Sequence, residues 1–163
     1  MTQPSAPMSP AIKVLTGLVL VMIVALFLAA GKVCGMLLAA SLLSIVAFCC
    51  YLYAPVAYKL TGDQLTVRFR LGRKVFQAVT GCSTLTARPP RGVRLWGNGG
   101  LFAATGIFWN KAYGIFRAYV TSARYQDYVL VSTRTQKILI SPENPEEFVR
   151  TWASSAPATP ASG

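Results

Sequence analysis

Apolar residues run unbroken from Val14 to Ala30 (VLTGLVLVMIVALFLAA). With Ala11 and Ile12 the stretch reaches the roughly twenty residues that cross about 30 Å of hydrocarbon at about 1.5 Å per residue. After Gly31 and Lys32 a second uncharged run extends from Val33 to Tyr58, with Met36 to Tyr53 at its centre. The pattern predicts two transmembrane helices, about 12–31 and 34–54, forming a hairpin over residues 11–54. A connection as short as Gly31-Lys32 permits only a tight turn, so the helices are expected to be antiparallel. Gly17, Ala25, Ala40, Ser44 and Ala47 are the small residues that would let them approach closely. Tyr51, Tyr53 and Tyr58 fall where an interfacial aromatic belt belongs, and Pro55 closes the second helix.

A secretory signal peptide is the competing reading of the first run, because Lys13 precedes it and Ala29-Ala30 mimics a small-residue cleavage site. The apolar core is longer than such peptides need and a second run follows at once, which favours an anchor.

From Lys59 the periodicity changes to two. Leu65, Val67, Phe69 and Leu71 fall on one face of a strand, Thr66, Arg68 and Arg70 on the other. Thr61-Gly62-Asp63 supplies a turn before it, Leu71-Gly72-Arg73 a hairpin after it, and Lys74 to Val79 the return strand. The same signature recurs at Phe116 to Ser122, Tyr128 to Thr133 and Lys137 to Ser141. With one more strand around Val56 to Leu60, at least six short strands suggest an antiparallel barrel or sandwich over residues 56–153. A helix closes it: Asn144-Pro145-Glu146-Glu147 provides an N-cap, a first-turn proline and an acid three residues past the cap, while Phe148, Val149 and Trp152 give the apolar side. Residues 1–10, with three prolines and no charge, and residues 154–163, rich in Ala, Pro and Ser, are expected to be disordered tails.

Composition agrees with an anchored domain: 53% of residues are hydrophobic, only 13% are charged, and the mean hydropathy is +0.47. Charge is uneven. Residues 1–54 carry only Lys13 and Lys32, whereas 55–163 carry fourteen lysines and arginines against five acids. Lys59, Arg68, Arg70, Arg73 and Lys74 follow the second helix closely, so the positive-inside rule places the C-terminal domain in the cytoplasm, and a hairpin returns the N-terminus to that side. Neither run contains an ionisable side chain at its centre, which argues against a proton relay or ion pathway.

No catalytic set emerges. There is no His, and each acid has a structural reason: Asp63 and Asp127 sit in turns, and Glu143, Glu146 and Glu147 crowd a helix start. Cys34, Cys49 and Cys50 lie in apolar sequence and read as membrane-helix residues in preference to acylation sites; Cys82 is the only thiol elsewhere. Gly97, Gly99, Gly100, Gly106 and Gly114 do not match a phosphate loop and are read as turns and bends. Neither metal nor cofactor is expected.

The segment RLWGNGGLFAATGIFWNKAYGIFRAYVT, Arg94 to Thr121, followed by VLVST and KILISPENPEEF, resembles the bacterial pleckstrin-homology (PH) type domain, in the membrane-anchored form that follows a transmembrane pair. The resemblance implies a strongly bent β-sandwich plugged by a C-terminal helix. It implies a binding or assembly module in the inner membrane, without fixing a ligand. Ser83 to Gly97, with Pro89, Pro90, Arg88, Arg91 and Arg94, yields no clean strand pattern.

The candidate site is the basic set Lys59, Arg68, Arg70, Arg73 and Lys74, on one strand and the following hairpin. It resembles the Lys and Arg-x-Arg arrangement by which some PH domains hold phosphoinositides, and basic residues at a membrane surface each contribute about 1 kcal/mol toward anionic headgroups. The competing reading is a solvated strand face that also sets topology. Expected partners are anionic lipid headgroups, a membrane-protein partner or a second copy of the chain. Nucleic-acid binding, with Trp96, Phe102, Phe108 and Trp109 as stacking platforms, is the alternative.

Overall fold

The computed structural model describes residues 2–29, 34–86 and 92–155. Among the described residues, a short first strand precedes two helices, α1 (Pro10–Ala29) and α2 (Cys34–Leu52), which lead into nine further strands and a final helix, α3 (Pro145–Ser155). The expected Gly31-Lys32 turn and the tail beyond residue 155 lie outside the described residues.

α1 has the length and hydropathy of a membrane span. In α2 the continuous described apolar stretch is Leu37–Leu52, shorter than a span, so the expected pair of clear spans is met by one helix. The two helices pack on each other through Ala40 and Ala47, buried seven residues apart on one face of α2, and through Ile23 of α1. The Ser44 hydroxyl donates to the Ala40 carbonyl at 2.8 Å, which satisfies it within its own helix. Gly17 and Ala25 face outward and do not serve the contact expected of them.

Only Tyr53 and Ala54 separate α2 from β2 (Pro55–Thr61), so the domain is joined to the helix without a linker. The first sheet has the order β1-β2-β3-β4, where β1 is Thr2–Pro4, β3 is Gln64–Phe69 and β4 is Arg73–Phe76. β1 falls where a disordered tail is expected: Thr2 and Gln3 pair antiparallel with Lys59 and Tyr58. Proline is tolerated in β1 because it forms the sheet edge, where missing N–H groups leave no ladder bond unmade. Beyond β1, Ser5 N–H donates to Val56, Ala6 N–H to Ser141 and Glu143 N–H to Pro4, which stitches the segment to both sheets.

The expected return strand Lys74 to Val79 is two elements. β4 ends at Phe76, and β5 (Val79–Thr84) starts the second sheet after Ala78 takes a positive φ of 56°. That sheet has the order β5-β9-β10-β8-β7-β6, with β6 Val93–Gly99, β7 Ala104–Asn110, β8 Gly114–Val120, β9 Val129–Thr133 and β10 Lys137–Ile140. It is not wholly antiparallel: β10 runs parallel to β8, with Ile138 beside Arg117. The crossover through residues 121–128 makes this possible. There the Ser122 hydroxyl donates to Asp127, and the Tyr128 hydroxyl donates to the Ser122 carbonyl at 2.9 Å.

The core lies between the sheets, around Tyr58, Leu65, Val67, Val131, Ile138 and Ile140, and Phe148 of α3 closes one end. Tyr58, expected in an interfacial belt, is fully buried, and its hydroxyl donates to the Tyr119 carbonyl at 2.7 Å. The architecture is a mostly β two-sheet sandwich behind an apolar helix, with a helix at its end, as the resemblance implies.

Candidate functional site

Alternation along β3 turns Leu65 and Val67 into the core and leaves Thr66 and Arg68 on the other side of the sheet. Register then places Lys59 of β2 beside Thr66, and both Ala57 and Arg73 beside Arg68. Facing residues share a side of a sheet, so Lys59, Arg68 and Arg73 form one outward patch. Together with Thr2, Arg70 and Gly72 they line a groove of about 580 Å³. Among the described residues, no carboxylate lines it.

The groove abuts the end of α2. Leu71 N–H donates to the Leu52 carbonyl at 3.3 Å, and the Arg70 guanidinium lies 4.3 Å from the centroid of the Tyr51 ring. The helix C-terminus adds negative potential next to Arg70. Leu71, at the tip of the turn between β3 and β4, is exposed between Arg70 and Arg73.

Four of the five expected site residues therefore line one groove, and Lys74 does not. It stands opposite Val67, which is fully buried, and its Nζ lies 5.9 Å from the centroid of the Phe76 ring on the inner side of the sheet. Consecutive residues of a strand point to opposite faces, so Arg73 and Lys74 cannot act as a pair.

Arg117 is the inward-facing cation that sequence reasoning missed. Its signal is the alternation Ile115, Arg117, Tyr119 in β8, where a charge takes the place of an apolar residue two positions before buried Tyr119. The aromatic residues considered as stacking platforms do not gather. Phe108 stacks on Phe116 with centroids 5.9 Å apart, Phe102 meets Tyr51 edge-on at 5.4 Å, and Trp96 and Trp109 are exposed. None of the four lines the groove. A larger cleft of about 860 Å³ at the start of α3 carries Glu146, Glu147 and Arg150, so it lacks the uniform positive charge of the groove. Burial pushes the Cys82 thiol up to about 12, which keeps it protonated and unreactive at neutral pH.

Comparison with known proteins gives no match among curated proteins and none among solved structures. A family match does cover more than half of the chain, residues 56–156, from β2 to the end of α3 and so every strand of the two sheets except β1. That match, on a fold with the strand layers and terminal helix just described, makes the chain a member of the Bacterial PH domain family.

Proposed function

We propose that the protein is a membrane-anchored binding module whose basic groove rests on anionic lipid headgroups at the cytoplasmic face of the inner membrane. Membership of a PH family supports a binding or scaffold role in general terms. The observation that carries the lipid reading is the bond from Leu71 to Leu52. It fixes the turn bearing Arg70 and Arg73 to the last residue of α2, where a bilayer surface would lie.

Anchorage has its own support. Leu18, Val21, Leu28, Leu38 and Leu42 form an exposed apolar surface on the helical pair, larger than an aqueous protein ordinarily tolerates. The pairing of β1 with β2 adds a constraint from topology. Thr2 precedes α1 and Lys59 follows α2, yet they are neighbours in one sheet, so both ends of the helical pair lie on the same side of any membrane. That pairing favours an even number of crossings over one. The 19 residues of α2 extend about 28 Å at about 1.5 Å per residue, close to the hydrocarbon thickness, which favours two crossings. The same pairing opposes cleavage after Ala30, because a cleaved protein would lose an edge strand of its own sheet.

The test uses the full chain in nanodiscs of phosphatidylcholine alone or with phosphatidylglycerol added. Amide hydrogen exchange over residues 64–75 is expected to slow in the anionic discs and to recover at high salt. Equal exchange in both discs would remove the lipid reading and leave a protein partner as the ligand to seek.

A further inference from the structure

A second cavity, of about 420 Å³, opens on the other side of the first sheet, where the end of α2 meets both sheets. Its size falls within the usual range for small-molecule sites. Lys74 reaches it from the inner side of β4, because its partner across the strands, Val67, points into the core. Arg117 reaches it from the inner side of β8, on the same face as buried Tyr119. Two cations, one from each sheet, thus face one space at the open end of the sandwich. Among the described residues, no carboxylate lines that space, and neither cation has an ion-pair partner. Like charges facing one open, partly apolar space repel each other, and an anion between them would relieve that repulsion.

The remaining walls decide what kind of anion fits. Phe69, Ile107 and Tyr119 line the interior, while Cys49 of α2 and Tyr53, just past its end, form the side next to the apolar helices. Trp96 stands at the rim, 78% exposed, where β6 bulges between Arg94 and Trp96. A Trp exposed beside the last turns of an apolar helix is the arrangement that interfacial aromatics adopt in membranes. We propose that this cavity holds an anionic phospholipid of the surrounding bilayer, with its phosphate between Lys74 and Arg117 and an acyl chain running past Cys49 along α2. The proposal rests on the reading that the helices lie in the bilayer. It is independent of the outward groove, from which Lys74 and Arg117 are absent.

The full chain in nanodiscs, doped with phosphatidylglycerol or phosphatidylcholine bearing the same photoactivatable acyl chain, tests it. Phosphatidylglycerol is expected to label peptides containing Trp96 and Ile107, whereas phosphatidylcholine labels only the helices. Lys74→Gln with Arg117→Gln should reduce the strand labelling by about tenfold or more. Lys59→Gln with Arg68→Gln and Arg73→Gln, which acts on the groove alone, should leave it unchanged. Equal strand labelling by both lipids in the unaltered protein would overturn the proposal, as would full labelling in a folded Lys74/Arg117 variant. Loss of labelling on adding millimolar inorganic phosphate would overturn the lipid assignment in favour of a soluble anion. Failure of the chain to enter nanodiscs at all would instead remove the membrane reading on which both proposals stand.

Discussion

The Thr121 hydroxyl donates to the Ala6 carbonyl at 2.6 Å, joining the segment ahead of α1 to the loop that follows β8. Ser141 completes the junction, since its hydroxyl accepts from Thr121 N–H and its carbonyl accepts from Ala6 N–H, each at 2.9 Å. All three residues are buried. Thr121→Val keeps the side-chain shape and leaves the Ala6 carbonyl short of a partner, at a cost of about 1–3 kcal/mol. Thermal unfolding of the full chain in detergent should show the loss, and Thr121→Ser should recover most of it.

Gln3 lies in the same segment and has the opposite character. It is 3% exposed, and neither its amide nitrogen nor its amide oxygen finds a hydrogen bond. Gln3→Met fills similar space without burying polar atoms, so stability should rise by about 1 kcal/mol. A lower melting temperature for that variant would show that β1 is held differently.

Gly97 and Gly106 face each other across β6 and β7 with φ of 115° and 149°. A Cβ on Gly97 would run into the Thr105 carbonyl and lie 2.6 Å from the Gly106 Cα, and one on Gly106 would run into the Trp96 carbonyl. Both atoms in the way are backbone and cannot rotate aside. Gly106→Ala should therefore cost about 3 kcal/mol or more and shift the emission of Trp96, whereas Gly62→Ala, with nothing within 4 Å and only the left-handed φ of 58° against it, should cost about 1 kcal/mol.

The basic groove was legible because alternation along β3 and a Gly-containing hairpin fix which residues share a face, and the β3 register depends on few other elements. Three features were not. Phe76 and Val79 are both buried three residues apart, a break in the period of two that marks the change of sheet but reads as one strand if overlooked. The parallel pairing of β10 with β8 depends on where a crossover lands, which no local pattern encodes. The strand Thr2–Pro4 is decided by the edge it joins, since two polar residues and a proline carry no strand signal of their own. Arg117 was hidden for a related reason: its significance depends on Lys74 arriving from the opposite sheet.

Alkaline pH should weaken the fold. Burial raises the Cys82 thiol from 9.0 to about 12, and burial likewise raises the Tyr58 hydroxyl from its ordinary value near 10. Both groups stay protonated in the folded chain after they have ionised in the unfolded one. Their stabilisation is complete below the unfolded values and is lost as pH rises toward the folded ones. The decline should begin near pH 9 for Cys82 and near pH 10 for Tyr58, approaching about 1.4 kcal/mol per pH unit for each group. Denaturant unfolding between pH 7 and 11 measures it, and Cys82→Ala should remove the portion that starts near pH 9.

Sidedness needs a reporter other than Cys82, because its half-buried thiol, held protonated, should react slowly with a maleimide on either side of a membrane. Gln77, exposed just after β4, is a better position. In a Cys82→Ala background, Gln77→Cys should resist an impermeant maleimide in intact cells and react after permeabilisation, as a cytoplasmic domain requires. The pairing of Thr2 with Lys59 makes a stronger demand: Thr2→Cys must behave as Gln77→Cys does, because Thr2 lies in the same sheet as β4, which Gln77 directly follows. Lys32→Cys, between the two helices in sequence, should show the reverse pattern. Opposite accessibility at positions 2 and 77 would mean an odd number of crossings and would overturn the two-crossing reading that the β1–β2 ladder supports. Protection at all three positions in intact cells, with α1 extractable by carbonate, would mean that the apolar pair lies against a protein and not in lipid.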